Sequence, residues 1–279
     1  MNELTTCEKI EQSISKKFRI KLWRPFIQGI KQYKLVQEGD NIAICISGGK
    51  DSMLLAKLMQ ALRRHSMFPF ELQFMVMDPG YNEINRQRII ANAATLEIPI
   101  SIFNSNIFET VVNTDRSPCY LCARMRRGFL YAHARKLGCN KIALGHHFSD
   151  VIETVLMNMF YGSEFGTMMP KLKSQNYPGM ELIRPMYCVH EEAIIAWARH
   201  NGLSFIQCAC PLSENCNIYD ASGGDSKRQE VKSLLKQLKR DNKNVENSIF
   251  KSLHRVNLDT IIGFRQKGQE YSFLDAWDI

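Results

Sequence analysis

Nowhere in this chain do apolar residues run for the roughly 18–20 positions that a membrane-spanning helix needs, which excludes a helical membrane protein and any membrane partner of that kind. The first residues, Met1-Asn2-Glu3-Leu4-Thr5-Thr6-Cys7-Glu8, lack the basic and hydrophobic segments of a secretory signal, so a cytoplasmic protein is expected. Internal repeats and low-complexity tracts are missing, which argues against a solenoid or a compositionally disordered chain. A disulfide framework is also excluded. The nine cysteines are odd in number and irregularly spaced, and a reducing compartment would keep them as thiols. Cys45 and Cys139 abut apolar strand patterns and read as small buried hydrophobes, with Cys7 and Cys188 structural or incidental. That leaves Cys119, Cys122, Cys208, Cys210 and Cys216 to be explained by chemistry.

What is present is a globular composition, 45% apolar and 23% charged over 279 residues, enough for one large α/β domain with appendages. Apolar runs predict strands over 41–46, 71–77, 98–103, 141–145 and 181–185, and helical spacing predicts helices over 51–64, 83–96, 124–137 and 150–160. This alternation predicts a doubly wound parallel sheet with helices on both faces, and right-handed crossovers place the loops after the strands along one edge. An amphipathic helix pattern over 18–36 precedes the sheet, and helices over 190–201, 225–240 and 245–254 follow it. A polar, turn-rich loop is expected over 213–224, and residues 257–279 carry no assignable pattern. The expected organisation is an N-terminal helical extension over 1–38, a catalytic domain over 39–212 and a C-terminal helical tail over 213–279.

The most informative segment is Ser47-Gly48-Gly49-Lys50-Asp51-Ser52, between the apolar run Ile42–Ile46 and a helix carrying Leu54, Leu58 and Leu62. Two glycines let the backbone approach a ligand, and the helix N-terminus aims free N–H groups at it. Lys50 adds a full charge, and Ser47 and Ser52 add hydroxyls, so the loop suits pyrophosphate. It is neither Gly-x-x-x-x-Gly-Lys-Ser/Thr nor Gly-x-Gly-x-x-Gly. Asp51 reads either as a magnesium or water ligand or as a carboxylate complementing the helix dipole. Asp78, at the end of the second strand, could face a ligand at that edge or simply form the turn at Pro79-Gly80. Gly145, His146 and His147 end the fourth strand, with Asp150 and Glu153 following in the next helix. Asp150 is a candidate acid at this strand end, while Glu153 could equally be a surface residue.

Charge points to a polyanion. The net charge is +8, with Lys16, Lys17, Arg19, Lys21 and Arg24 crowded near the N-terminus. Arg124, Arg127 and Arg135, with Tyr131 between them, fall at helical spacing, so one face of that helix is expected to be basic, either a solvated surface or a contact for a polyanion. Cys119 and Cys122 stand beside Arg124, Arg126 and Arg127, which would stabilise a thiolate or a nearby phosphate.

The Ser47–Ser52 loop resembles the PP-loop of ATP pyrophosphatases. Pro118-Cys119-Tyr120-Leu121-Cys122-Ala123-Arg124-Met125-Arg126-Arg127-Gly128, Leu144-Gly145-His146-His147, Asn158-Met159-Phe160-Tyr161-Gly162 and Ile183-Arg184-Pro185 together resemble the tRNA 2-thiocytidine synthetase family, in consistent order over roughly residues 20 to 215. The resemblance implies that the base oxygen attacks the α-phosphorus of ATP, pyrophosphate departs and the adenylated base accepts sulfur, with 2-thiocytidine formed at position 32 of tRNA. It implies ATP held by Ser47, Gly48, Gly49, Lys50, Asp51, Ser52, Asp78, Gly145 and His146, with Lys50, Asp51, Asp150 and Arg126 catalytic, and Mg2+ as cofactor. It further implies a [4Fe-4S] cluster on Cys119, Cys122 and Cys208, leaving one iron open to bind hydrosulfide. Cys208 aligns with the family's third ligand without a gap, but the chain reads Cys208-Ala209-Cys210 where Cys-x-x-Cys is usual, so Cys210 is displaced by one. A four-thiolate zinc site or a persulfide-carrying cysteine are the other readings of these thiols. Ser149 replaces the first of two aspartates found in the broader class. The implied partners are tRNA, a sulfur donor (a cysteine desulfurase or sulfide) and a second copy in a homodimer. Thiolation of another base such as uridine, or amide ligation with a structural zinc, are the alternatives.

Overall fold

β1 (Asn41–Ile46) alternates Ile42, Ile44 and Ile46 with Ala43 and Cys45, and all five are buried. Such a strand is stable only when both faces are covered, and each buried isoleucine contributes about 1.5–3 kcal/mol. In this computed structural model, which describes residues 4–105, 107, 118–206 and 224–277 (for 118–123, 224–226 and 276 the backbone alone), β1 is the centre of a six-stranded sheet. β2 (Glu71–Asp78) and β3 (Ile100–Asn104) extend it on one side; β4 (Lys141–Ala143), β6 (Glu181–Ile183) and β5 (Lys171–Lys173) extend it on the other. The order is β3-β2-β1-β4-β6-β5, parallel except for β5, which pairs antiparallel at the edge. The sheet therefore reverses its winding between β1 and β4, and open α/β sheets bind ligands at such a point, outside the carboxyl ends of the strands.

The isoleucine face of β1 packs into the larger core, with α1 (Thr6–Ser15), α2 (Arg24–Gln32), α3 (Lys50–His65), α4 (Glu83–Thr95) and α7 (Glu191–His200). Ala43 and Cys45 face the opposite layer, where Tyr131 and Ala134 of α5 (Pro118–Lys136) cover them. The N-terminal helices thus share the main core. Lys57, buried inside it, ties α1 to α3 by an ion pair to Glu11 at 2.5 Å and a hydrogen bond to the Leu96 carbonyl at 2.8 Å. α8 (Gly224–Asp241) and α9 (Val245–Ser252) pack on α6 (Phe148–Tyr161) through Phe148, Ile152, Leu156, Val231 and Leu235.

Three segments differ from the pattern expected of them. The helix expected over 18–36 is a π-helical turn over Arg19–Trp23 followed by α2, because Pro25 removes a backbone donor in the first turn of α2 and the chain widens before it. Tyr131 is buried, stacked 5.3 Å from Tyr177, so it is not part of an RNA-facing surface. The helical tail ends in a hairpin of β7 (Gly263–Gln266) and β8 (Gln269–Ser272), turned by Lys267 and Gly268, both at positive φ. Cys7, Cys45, Cys139 and Cys188 are all buried. Burial pushes the Cys139 and Cys188 thiols up to about 11, which suits inert packing residues.

Candidate active site

Both strand ends at the reversal carry glycines that no other residue could replace without displacement. Gly48, after β1, has φ +84°, and a Cβ there would stand 2.5 Å from Ile89 Cγ1 and 2.7 Å from Ile206 Cδ1. Gly145, after β4, would place a Cβ 3.1 Å from the Ser52 nitrogen and 3.2 Å from the Asp51 carbonyl carbon. These close approaches seat the loop after β4 against the first turn of α3. Ser52 Oγ accepts from the Ser47 nitrogen at 3.1 Å and donates to the Gly49 carbonyl at 3.0 Å, closing the Ser47–Ser52 loop on itself. Tyr81 reaches over from beyond β2 and donates its hydroxyl to the Ser47 carbonyl at 3.4 Å.

Lys50 Nζ donates to Asp51 Oδ2 at 3.1 Å and to Glu191 Oε1, in the first turn of α7, at 2.9 Å. Burial works against its charge, but Asp51 and Glu191 outweigh it and hold the ammonium above the ordinary lysine range. Asp51 Oδ1 is buried and makes no hydrogen bond among the described residues; His147 Nε2 stands 3.7 Å away. A buried, unpaired carboxylate oxygen beside a phosphate-binding loop fits a bound cation.

Between these loops and α5 lies a cavity of about 470 Å³ lined by Ser47, Asp51, Ser52, Gly145, His146, Asp150, Arg126, Arg127 and Arg228, with Cys45, Met77 and Tyr81 among its apolar walls. The structure therefore brings Ser47, Asp51 and Ser52 of the glycine loop, the Gly145-His146 segment, Asp150 and Arg126 to one place, while Gly48, Gly49 and Lys50 are not among the lining residues. Asp78 does not line the cavity, although Met77 before it and Tyr81 after it do. Its Oδ1 accepts from the Gly80 and Tyr81 nitrogens at 2.9 and 2.7 Å, fixing the turn that presents Tyr81.

Asp150 and His147 form the cap of α6. The His147 nitrogen donates to Asp150 Oδ2 at 2.9 Å, and His147 Nδ1 accepts from the Asp150 nitrogen at 3.4 Å. His147 Nδ1 also stands 3.3 Å from Asp150 Oδ2, and Nε2 faces Asp51 Oδ1 at 3.7 Å. Asp150 Oδ1 accepts from Arg228 Nη2 at 2.9 Å, so both of its oxygens are engaged. Glu153 is not a surface residue. It is 2% exposed, accepts from Arg228 Nε at 2.6 Å and lies 3.6 Å from Lys232 Nζ. Lys232 is also 3.8 Å from Glu191, which completes a chain of alternating charge from Lys50 to Asp150. Arg228, Lys232 and Glu191 were not expected at the site. The four-residue spacing of Arg228 and Lys232 was visible, but not the buried carboxylates they would meet. No group of three or more His, Cys, Asp or Glu residues suited to a metal occurs among the described residues, so the His146-His147-Asp150 segment is no ready-made metal centre.

His146 Nδ1 is buried without a hydrogen-bond partner. Burial and the Arg184 guanidinium lower its pKa to about 4, against the opposing pull of Asp150. Arg184 is itself lowered to about 10 by burial and by Arg127, a sign of cations held together on one wall. The fold keeps His146 neutral down to about pH 4, whereas an unperturbed histidine titrates near 6.5. Between those values the unfolded chain binds the extra proton, so this residue makes the protein less stable as pH falls from 6.5 to 4. His146→Gln is expected to remove that acid sensitivity, about 2 kcal/mol between neutral pH and mildly acid pH. Urea unfolding of both proteins at the two pH values measures it; parallel pH dependences would contradict the assignment.

Cys119 and Cys122 fall one turn apart in the first turn of α5, the spacing at which helical positions share a face. Their side chains, and Cys208, Cys210 and Cys216, lie outside the described residues.

A PP-loop domain model matches residues 13–215. The chain belongs to the PP-loop family. Among curated relatives of this PP-loop protein, the tRNA-cytidine(32) 2-sulfurtransferase of Geobacter metallireducens is 34% identical over 232 residues, covering 82% of this chain and 87% of the relative. That of Syntrophotalea carbinolica is 36% identical over 232 residues, covering 82% and 86%. Of solved structures, the U34-tRNA thiolase NcsA of Methanococcus maripaludis, solved with its [4Fe-4S] cluster, superposes with a TM-score of 0.65 at 21% identity, covering 87% of this chain and 80% of that one. This likeness shows that the two share the PP-loop fold. No helix among the described residues is long and apolar enough to cross a membrane.

Proposed function

We propose that this PP-loop enzyme is an ATP-dependent tRNA sulfurtransferase that forms 2-thiocytidine at position 32, releasing AMP and pyrophosphate. The observation that carries this reading is that relatives matching four-fifths of the chain at 34–36% identity are tRNA-cytidine(32) 2-sulfurtransferases. The cavity at the β1/β4 reversal supports it, because its residues suit adenylation, in which ATP supplies the leaving pyrophosphate.

Catalysis of such a step is chiefly positioning and stabilisation of phosphoryl oxygens. Ser47, Gly48, Gly49 and Ser52 would hold pyrophosphate at the start of α3, and Lys50 would transfer from Asp51 and Glu191 to it. Arg126 and Arg127, from α5, would face the phosphates from the opposite wall. Asp51 Oδ1, the orphaned oxygen, is the acceptor that fits Mg2+. The adenosine end belongs against Met77 and Tyr81, where Asp78 sets the turn. Neutral His146 offers a nitrogen that can take a hydrogen bond or proton within the cavity, and Asp150 shapes the first turn of α6 beside it. Cys119, Cys122 and Cys208 would hold the [4Fe-4S] cluster, which when bound supplies iron for sulfur activation. A cysteine desulfurase or sulfide as donor, a homodimer and a cytoplasmic site of action complete the reading.

The reading is tested by ATP turnover. AMP and pyrophosphate should appear only when tRNA is added, and ATP cleavage to ADP, or none, would contradict it. Arg124, Arg127 and Arg135 are exposed along α5, as are Lys16, Lys17, Arg19, Lys21 and Arg24 near the N-terminus. Binding through phosphates on these groups should weaken steeply with salt, because each neutralised phosphate releases counterions. Reversing Lys17 and Arg19 to glutamate should lower tRNA affinity and leave ATP affinity unchanged; filter binding across a salt series checks both.

A further inference from the structure

The site contains more carboxylates than a polyphosphate pocket should tolerate. Asp51, Asp150, Glu153 and Glu191 converge on the ends of α3, α6 and α7, and Lys50 alone among the α3 loop residues opposes them. Among the described residues, further compensation on this wall comes from outside the strand–helix core. Arg228 of α8 spans Asp150 and Glu153 at 2.9 and 2.6 Å, and Lys232, one turn later, stands 3.6 Å from Glu153 and 3.8 Å from Glu191. Glu153 is the telling residue. It is almost fully buried, and among the described residues both cations that meet it belong to α8. α8 is held in place by Val231 and Leu235 against Phe148, Ile152 and Leu156, which orients the face bearing Arg228 and Lys232 toward α6. Arg228 also lines the cavity.

We propose that α8 forms a wall of the nucleotide site, with Arg228 a positioning residue that neutralises Asp150 and Glu153 so that the phosphates of ATP can lie beside them. This rests on the reading of the cavity as an ATP site. Without Arg228, Asp150 on the cavity wall and Glu153 buried behind it would be left uncompensated, and negative charge beside the cavity opposes binding of a polyphosphate. The helix after the catalytic domain thereby becomes part of the catalytic machinery, acting through the first turn of α6.

The test is ATP affinity of the full-length protein, by calorimetry with ATP and magnesium chloride at low and high salt. Arg228→Ala should weaken ATP binding by about tenfold or more, less at high salt, with tRNA affinity retained. Adding Glu153→Gln to Arg228→Ala should restore most of the ATP affinity, because the charge that needed neutralising is gone. A merely structural role would move stability and ATP affinity together, so the urea unfolding midpoint of each variant is measured alongside, and an affinity change that only tracks the midpoint overturns the proposal. Unchanged ATP affinity in Arg228→Ala, or no recovery in the double variant, overturns the proposal. If Arg228→Ala loses its cooperative unfolding transition, Arg228→Lys is compared with Arg228→Gln. Stronger binding by the lysine variant supports the proposal, and equal binding overturns it. Wild-type protein that binds no ATP would instead remove the reading of the site, so the two failures are distinct.

Discussion

Lys50→Ala is expected to abolish tRNA-dependent release of pyrophosphate, a loss of at least about a hundredfold, the scale seen when one preorganised donor is taken from a developing charge. Lys50 stands at the start of α3, where helix N–H groups already point outward, and it is held there by Asp51 at 3.1 Å and Glu191 at 2.9 Å. Both carboxylates keep it charged, so the ammonium is available whenever phosphate displaces them. Removing it does double damage: a phosphate loses its cation, and two carboxylates are left to repel the nucleotide. Lys50 acts on phosphate and is not among the expected iron ligands Cys119, Cys122 and Cys208, so iron content should be unchanged. Anaerobic turnover with ATP and tRNA, alongside an iron assay, measures both. Near-normal turnover would remove Lys50 from the phosphate site.

The second large effect concerns Cys208 and separates activation from sulfur delivery. Cys208→Ala should lose most iron and all thiolation yet still release pyrophosphate, because activation is assigned to the residues around the β1/β4 reversal and sulfur delivery to the cysteines. Cys210→Ala should retain iron and much of the activity. Cys208 is the third ligand that the family resemblance implies, and a cluster with an open iron needs only three thiolates, so the Cys210 thiol is not required. Iron and thiolated nucleoside are measured in each variant. Equal loss in both would favour coordination by four thiolates, which fills the position sulfur needs, and the delivery scheme would then fail.

How much of this was readable in advance depends on whether a residue's role is local. β1, β2, α3 and the Ser47–Ser52 loop were legible because their patterns are contiguous: an apolar run, two glycines, then leucines at helical spacing. Gly145 and His146 were legible as a strand end converging on the same edge. Glu153 was not, because a glutamate on a helix looks solvated until its burial against Arg228 is known. The α8 contribution was invisible for the same reason: Arg228 and Glu153 are 75 positions apart, and no periodicity links them. Tyr131 shows the opposite error. It shares the helical spacing of three arginines, yet its ring packs inward on Tyr177. Asp78 was ambiguous, and the structure gives its carboxylate a turn to hold while its neighbours line the cavity. The terminal hairpin escaped notice because its turn is Lys267-Gly268 rather than Asn-Gly, and Phe264 against Tyr271 is its one aromatic cross-strand pair.

The central claim is that this site activates a cytidine of tRNA for sulfur. The most direct measurement is nucleoside analysis by mass spectrometry of unmodified tRNA incubated anaerobically with the iron-loaded protein, ATP, magnesium and sulfide. The account predicts 2-thiocytidine, dependent on ATP and located at position 32, as in the relatives the chain matches. Thiolated uridine, or no thiolated base while ATP is still consumed, would contradict it.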